Sequence, residues 1–279
     1  MKKIIGLLLA IMIVAGCFSI CAVAEAATTD VFVTFSDNSG KIILSQEKIT
    51  VTDKNGDGKF DLDEAFFAMH EAKYEGGAAA GYATGTSQYG LYITKLWGDT
   101  SGNFSYYVNN KMAMGLTDEI KAGDYLNAFI FQVYEFNPET YETTSDSYSF
   151  FDKFNATVTE GDKLTVTLKA VVFDADYAPI NVNVAEAIIT IDGVETTLKT
   201  DENGKVTIPM DKAGEYLISA KKVDDILVPP VLKVTVNAKP QATTENKSPK
   251  TGDDLSILVF MVALSGALAA FAAKKVYEK

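Results

Sequence analysis

The chain has 279 residues and carries 25 Lys plus Arg against 37 Asp plus Glu, for a net charge of −12. That acidity argues against a nucleic-acid partner, which demands Lys and Arg clustered on one face, and suits an exported protein that meets cations. Both cysteines, Cys17 and Cys21, lie close to the N-terminus, so the body of the chain offers no disulfide, thiol nucleophile or cysteine metal site.

Lys2-Lys3, the apolar run Ile4 to Val14 and the small-x-small sites Ala22-Val23-Ala24 and Ala24-Glu25-Ala26 have the order of a secretory signal. Residues 1–26 are therefore expected to be removed, with cleavage after Ala24 as the near alternative. Val14-Ala15-Gly16-Cys17 also resembles a lipoprotein box, which would make Cys17 a lipidation site.

The remaining chain is long enough for two domains. Val31, Val33 and Phe35, then Ile42-Ile43-Leu44, flank Asp37-Asn38-Ser39-Gly40 and predict a β-hairpin. Its second strand runs into Asp53-Lys-Asn55-Gly-Asp57-Gly58-Lys59-Phe60-Asp61-Leu-Asp63-Glu64. These twelve residues fit a calcium loop. Asp53, Asn55, Asp57 and Asp61 supply oxygens at positions one, three, five and nine, and Lys59 supplies a backbone carbonyl at seven. Gly58 stands at the sharp turn, and Glu64 at twelve can bind through both oxygens. The loop resembles that of EF-hands and dockerins, which implies calcium as the cofactor. A strand precedes it and no second loop follows, so a paired sensor is not expected and a structural ion is.

Leu62 to Tyr74 predicts a helix with Leu62, Ala65, Phe66, Met69 and Ala72 or Lys73 on one stripe. His70, the single histidine, is expected to be packed or exposed rather than catalytic. Gly76 to Gly85 lacks the Gly-Lys-Ser/Thr ending of a phosphate loop and reads as a connector or extended strand. Three strands follow between residues 87 and 133. The run Phe104-Ser-Tyr106-Tyr107-Val108-Asn109, with Gly123-Asp124 before the next strand, resembles a bacterial surface domain related to the C-terminal domain of cobalamin carriers. That resemblance implies an α+β domain of β-grasp type over residues 27–153 and a possible small ligand such as a corrinoid. Trp97 and Tyr107 are the candidate ligand contacts, although most of these aromatics are expected to be core.

Tyr134 to Asp152 shows little periodicity and reads as a loop. From Lys163 the alternation of Leu164, Val166, Leu168, Ala170 and Val172 begins a series of seven short strands, which predicts a β-sandwich over residues 154–238. Thr200-Asp201-Glu202-Asn203-Gly204-Lys205 and Ala213-Gly214-Glu215-Tyr216 resemble bacterial immunoglobulin-like modules, some of which carry a Lys–Asn isopeptide bond. Lys169 and Asn237 are the pair such a bond would use.

A linker, 239–247, leads to Ser248-Pro249-Lys250-Thr251-Gly252, then the uncharged run Leu255 to Ala273 and a tail, 274–279, that starts Lys274-Lys275. An apolar stretch of that length can span a bilayer as a helix, and the lysines hold the tail in the cytoplasm. The arrangement resembles the sorting signal of Gram-positive wall proteins, with Ser248 where Leu is usual. It implies sortase and peptidoglycan as partners and a single membrane span before sorting. The whole reads as a non-catalytic, wall-anchored binding or adhesion protein, with small-ligand capture as the alternative.

Overall fold

The computed structural model describes residues 27–140, 143–223 and 225–240. The expected signal segment, the sorting pentapeptide Ser248 to Gly252, the span Leu255 to Ala273 and the tail lie outside the described residues. Those up to Lys239 belong to one compact unit. Among the described residues no helix is long and apolar enough to cross a membrane.

β1 (Thr28–Ser36) and β2 (Ile42–Thr52) form the expected hairpin. Val31, Val33 and Phe35 all point into the core, as period-two alternation of β-branched and aromatic residues dictates. With β5 (Phe104–Val108), β6 (Lys111–Met112) and β7 (Tyr125–Ile130) they make a sheet ordered β2-β1-β7-β5-β6. β1 pairs with β7 in parallel, the other neighbours antiparallel. α1 (Leu62–Lys73) packs on this sheet and buries Leu62, Ala65, Phe66 and Met69, four members of its predicted stripe. Burial of Leu62, Phe66 and Met69 contributes about 1.5–3 kcal/mol each.

The stretch expected to be a connector or strand contains a one-turn helix, α2 (Gly77–Gly81), followed by a separate hairpin of β3 (Ala83–Ser87) and β4 (Gly90–Lys95). Gly76 supplies the left-handed turn before α2, with φ 86°, and Glu71 accepts from the Ala78 N–H at 3.2 Å. A side chain from the preceding helix thus nucleates what propensity left open.

The second half is a sandwich of two five-stranded sheets. β10 (Ser147–Phe151), β12 (Asp162–Phe173), β13 (Pro179–Asn183), β16 (Lys205–Met210) and β18 (Leu227–Val228) form one. β11 (Asn155–Thr159), β14 (Ile188–Ile191), β15 (Val194–Lys199), β17 (Gly214–Lys221) and β19 (Leu232–Asn237) form the other. Leu164, Val166, Leu168 and Ala170 from β12 meet Ile189, Ile218, Ala220, Leu232, Val234 and Val236 across the core. The alternation starting at Lys163 thus marks the inner face of a sheet. Residues 134–152, expected to be a loop, hold β8 (Tyr134–Phe136), β9 (Thr143–Ser145) and β10. β8 and β9 pair with each other, whereas the pairing of β10 is set at long range, since it joins β12 and β18, and no local pattern announces it.

A third cluster joins the halves. Tyr107 from β5 and Phe129 from β7 pack with Tyr148, Val171 and Val228. The Tyr107 and Tyr148 rings stack at 3.6 Å and 11°, and Tyr125 stacks on Phe154 at 4.0 Å and 2°. Gln46 sits at an irregularity in the β1–β2 pairing with φ 48°, and its side-chain amide donates to the Phe154 carbonyl at 2.7 Å and the Val231 carbonyl at 3.3 Å. Because truncation leaves two carbonyls without this donor, Gln46→Ala is expected to lower stability by about 1–3 kcal/mol in a urea-unfolding measurement.

Candidate functional site

Loop 53–64 is wound around its own side-chain oxygens. Asp53 accepts from the Gly56 and Gly58 amides at 2.7 and 2.9 Å, Asn55 from Asp57 at 2.9 Å and Asp57 from Lys59 at 2.8 Å. Gly58 adopts φ 80° at the sharp turn, a conformation glycine enters without steric cost. Asp61 caps α1 by accepting from the Glu64 N–H at 2.9 Å. The far side of the loop is pinned by backbone bonds from Ile120 to Phe60 and from Asp63 to Leu116, both 2.9 Å.

Glu64 is the unusual member. Its side chain is 5% exposed, and Oε1 accepts from the Lys54 amide at 2.6 Å and the Asn55 amide at 3.3 Å. Oε2 is buried with no hydrogen-bond partner. A buried carboxylate oxygen left unpaired costs several kcal/mol unless a positive charge meets it. Asn127 Oδ1 is the other such oxygen among the described residues. Burial, with the charges of Glu64, Asp63 and Asp57 nearby, holds the Asp61 carboxyl above the usual range. Among the described residues no three His, Cys, Asp or Glu side chains converge tightly enough to hold an ion as they stand, since the carboxylates are turned onto the loop amides. The oxygens required of a calcium loop are nevertheless gathered on one twelve-residue turn, and the position-twelve carboxylate has an uncompensated atom; this donor set, all oxygen, fits a hard cation.

The second constellation surrounds His70, which is 0% exposed. Nε2 accepts from the Trp97 N–H at 2.9 Å, so the ring proton sits on Nδ1, which donates to the Phe66 carbonyl at 2.6 Å. Tyr82 stacks on the imidazole at 5.0 Å and donates through its hydroxyl to Asp63 at 2.7 Å. Trp97, a candidate ligand contact, has φ 52° and lies against Phe35, His70 and Tyr74 at 4.8, 5.4 and 5.2 Å. Tyr107, the other candidate, is 4% exposed and committed to Tyr148. Burial pushes its phenol up to about 12. The structure therefore brings Trp97 to α1 and Tyr107 to the junction, in two different packing clusters. The sequence left His70, beside the apolar stripe, either packed or exposed; the structure buries it, and its two hydrogen bonds had no signal in the sequence.

An enclosed cavity at the junction, lined by Thr34, Gln46, Asn127 and Tyr148 among others, measures about 20 Å³, room for a single water. Larger depressions, of about 350 to 450 Å³, are open to solvent. Lys169 lies on β12 opposite Phe150 and Asn183, whereas Asn237 ends β19 opposite Thr159 in the other sheet. The two are not brought together, so the isopeptide pairing is not formed.

No protein-family model and no curated protein matches the chain. Two of the solved structures similar to it are bacterial. The BIgI domain of the beta protein from S. agalactiae, bound to CEACAM1, is 18% identical over 33% of this chain and 96% of its own, with a TM-score of 0.19. The D0-D1 domain of intimin is 16% identical over 75% and 96%, with a TM-score of 0.24. At such scores the likeness decides nothing, and the sandwich assignment stands on the strand pairing above.

His70 makes the fold sensitive to acid. Desolvation holds its folded-state pKa near 4, against 6.5 for a free imidazole. The unfolded chain thus binds the extra proton first, and stability present above pH 6.5 is lost as pH falls toward 4. The groups facing the ring are the phenols of Tyr74 and Tyr82, with Asp63 beyond Tyr82. Urea unfolding of wild type should weaken by up to about 3 kcal/mol more across this window than that of His70→Gln, which takes no proton.

Proposed function

We propose that this chain is a non-catalytic surface binding or adhesion module whose first half is held in shape by calcium at loop 53–64. The observation that carries the calcium reading is Glu64 Oε2, buried and unpartnered at the end of a loop whose other oxygens already face inward on its turn. Asp53, Asn55, Asp57, the Lys59 carbonyl, Asp61 and Glu64 would hold the ion. Bound there, it supplies positive charge to a crowded set of carboxylates and cross-links the end of β2 to the start of α1. In a body without cysteine, such a link takes the part that a disulfide plays in other exported domains.

Display at the surface rests on the export signal, the linker and the sorting pentapeptide Ser248 to Gly252, with sortase and peptidoglycan as partners and the span Leu255 to Ala273 as the temporary membrane hold. Binding rather than catalysis is favoured because both nitrogens of the single histidine are already hydrogen-bonded within the core. Corrinoid capture, the alternative, has no observation in its favour.

Thermal melts in about 10 mM calcium and in excess chelator test the ion. With affinity of order 10⁻⁴ to 10⁻³ M, calcium should add about 1.4–2.7 kcal/mol, and Glu64→Gln should abolish the increment. Equal melting temperatures with and without calcium would remove the structural role. Adhesion of the full chain to arrayed matrix proteins and glycans tests the binding role.

A further inference from the structure

The β3–β4 hairpin differs in chemistry from the rest of the molecule. Residues 76–94 contain no charged side chain, in a protein of net charge −12. The two strands form a sheet of their own. Ile93 points inward at 8% exposure and Leu91 packs beside it on the first core, which leaves Gly85, Ser87, Gly90 and Tyr92 on the opposite face.

Tyr92 is paired with Gly85 across the strands. A Cβ at residue 85 would meet Tyr92 Cζ and Oη at 2.9 Å and Thr94 Cγ2 at 3.1 Å. The ring therefore lies across the backbone, in space that any other residue at 85 would fill. The end of the ring is held over Gly85 while the residue remains 48% exposed. At the turn Tyr89 is 91% exposed, and its N–H is held by Ser87 Oγ at 3.1 Å. Single exposed aromatics need no explanation. A ring reaching over a glycine, a second ring at the adjoining turn, neighbouring hydroxyls and no charge across residues 76–94 together make a prepared surface. Tyrosine among Ser, Thr and Gly gives large contact area at low cost in conformational entropy.

We propose that this hairpin face binds a neutral carbohydrate. Tyr92 stacks on the apolar C–H face of one sugar ring, Tyr89 covers a neighbouring ring, and the Thr94 and Ser87 hydroxyls meet sugar hydroxyls. The ligand is neutral because residues 76–94 carry no cation to pair with sialate, sulfate or uronate, the ammonium of Lys95 at the base of the hairpin donates to the Ala80 carbonyl at 3.2 Å, and the protein's net charge repels anions. The assignment rests on the binding-module reading and names its ligand class.

The test is titration of the full chain with cellohexaose and mannohexaose, and with sialyllactose and a heparin oligosaccharide as acidic counterparts. Binding to a neutral oligosaccharide is expected, with affinity lowered at least about tenfold by Tyr92→Ala and by Tyr89→Ala and kept within about threefold by Tyr92→Phe. Tyr89 is so exposed that its variant should melt like wild type, which keeps loss of binding distinct from loss of fold. Preference for the acidic sugars, or undiminished neutral binding in the Tyr89→Ala/Tyr92→Ala double variant, would overturn the proposal. Adhesion to proteins with no sugar bound would overturn it while sparing the binding-module reading, and adhesion to nothing would sink both.

Discussion

The start of α1 is the point on which the first half of the molecule depends. Three acidic side chains within four residues face three different structures. Asp61 caps the helix at 2.9 Å, Asp63 receives the Tyr82 hydroxyl at 2.7 Å, and Glu64 gathers the amides of Lys54 and Asn55. Cap, hairpin and loop are thereby referred to one turn of helix. Negative charge at a helix N-terminus is favoured by the backbone dipole, but three carboxylates so close repel one another. The fold tolerates that repulsion most easily if a cation sits in the loop, which is why the candidate metal site and the architecture are one problem.

From that turn the structure is carried outward by aromatic packing. Tyr82 leans on His70, His70 holds the backbone of Trp97, and Trp97 lies on Phe35 of β1, next to the central strand of the sheet. The histidine works as a neutral two-sided connector: its acceptor nitrogen holds a residue in a left-handed conformation. The hairpin that follows α2 is thereby oriented from its base, leaving its uncharged face and tyrosines outward. At the opposite side of the sheet, Tyr107, Phe129 and Tyr148 join the first core to the sandwich. Stacked rings and the Gln46 amide make that junction part of one compact unit, so forces applied at the sandwich are transmitted to the first half through packed side chains.

Much of this was legible locally. Val31, Val33 and Phe35 alternate because one face of β1 is buried, and the stripe on α1 follows the 3.6-residue repeat for the same reason. Loop 53–64 could be read as a tight turn because its glycines and its Asp and Asn side chains stand in consecutive residues, and the side chains of Asp53, Asn55 and Asp57 do hold the loop amides. The sandwich strands from Leu164 to Val236 were visible by their period. β10 and β18 were not, because five and two residues carry too little pattern and their pairing joins segments about eighty residues apart. α2 escaped because Glu71, not its own glycines and alanines, starts it.

The sequence by itself determined the acidic, cysteine-free body, the Asp- and Gly-rich turn at 53–64, the helix after it and the alternating strands, since each follows from composition or from a pattern shorter than one element. Only the tertiary structure decided which aromatics are available. Trp97, the first choice, and Tyr107 were both candidates in the sequence; packing sets one against His70 and Phe35 and the other against Tyr148. Tyr92, unremarkable in the sequence, is left half-exposed over Gly85. Side-chain exposure depends on what lies opposite in three dimensions, and here the opposite residue is a glycine seven positions away on the partner strand.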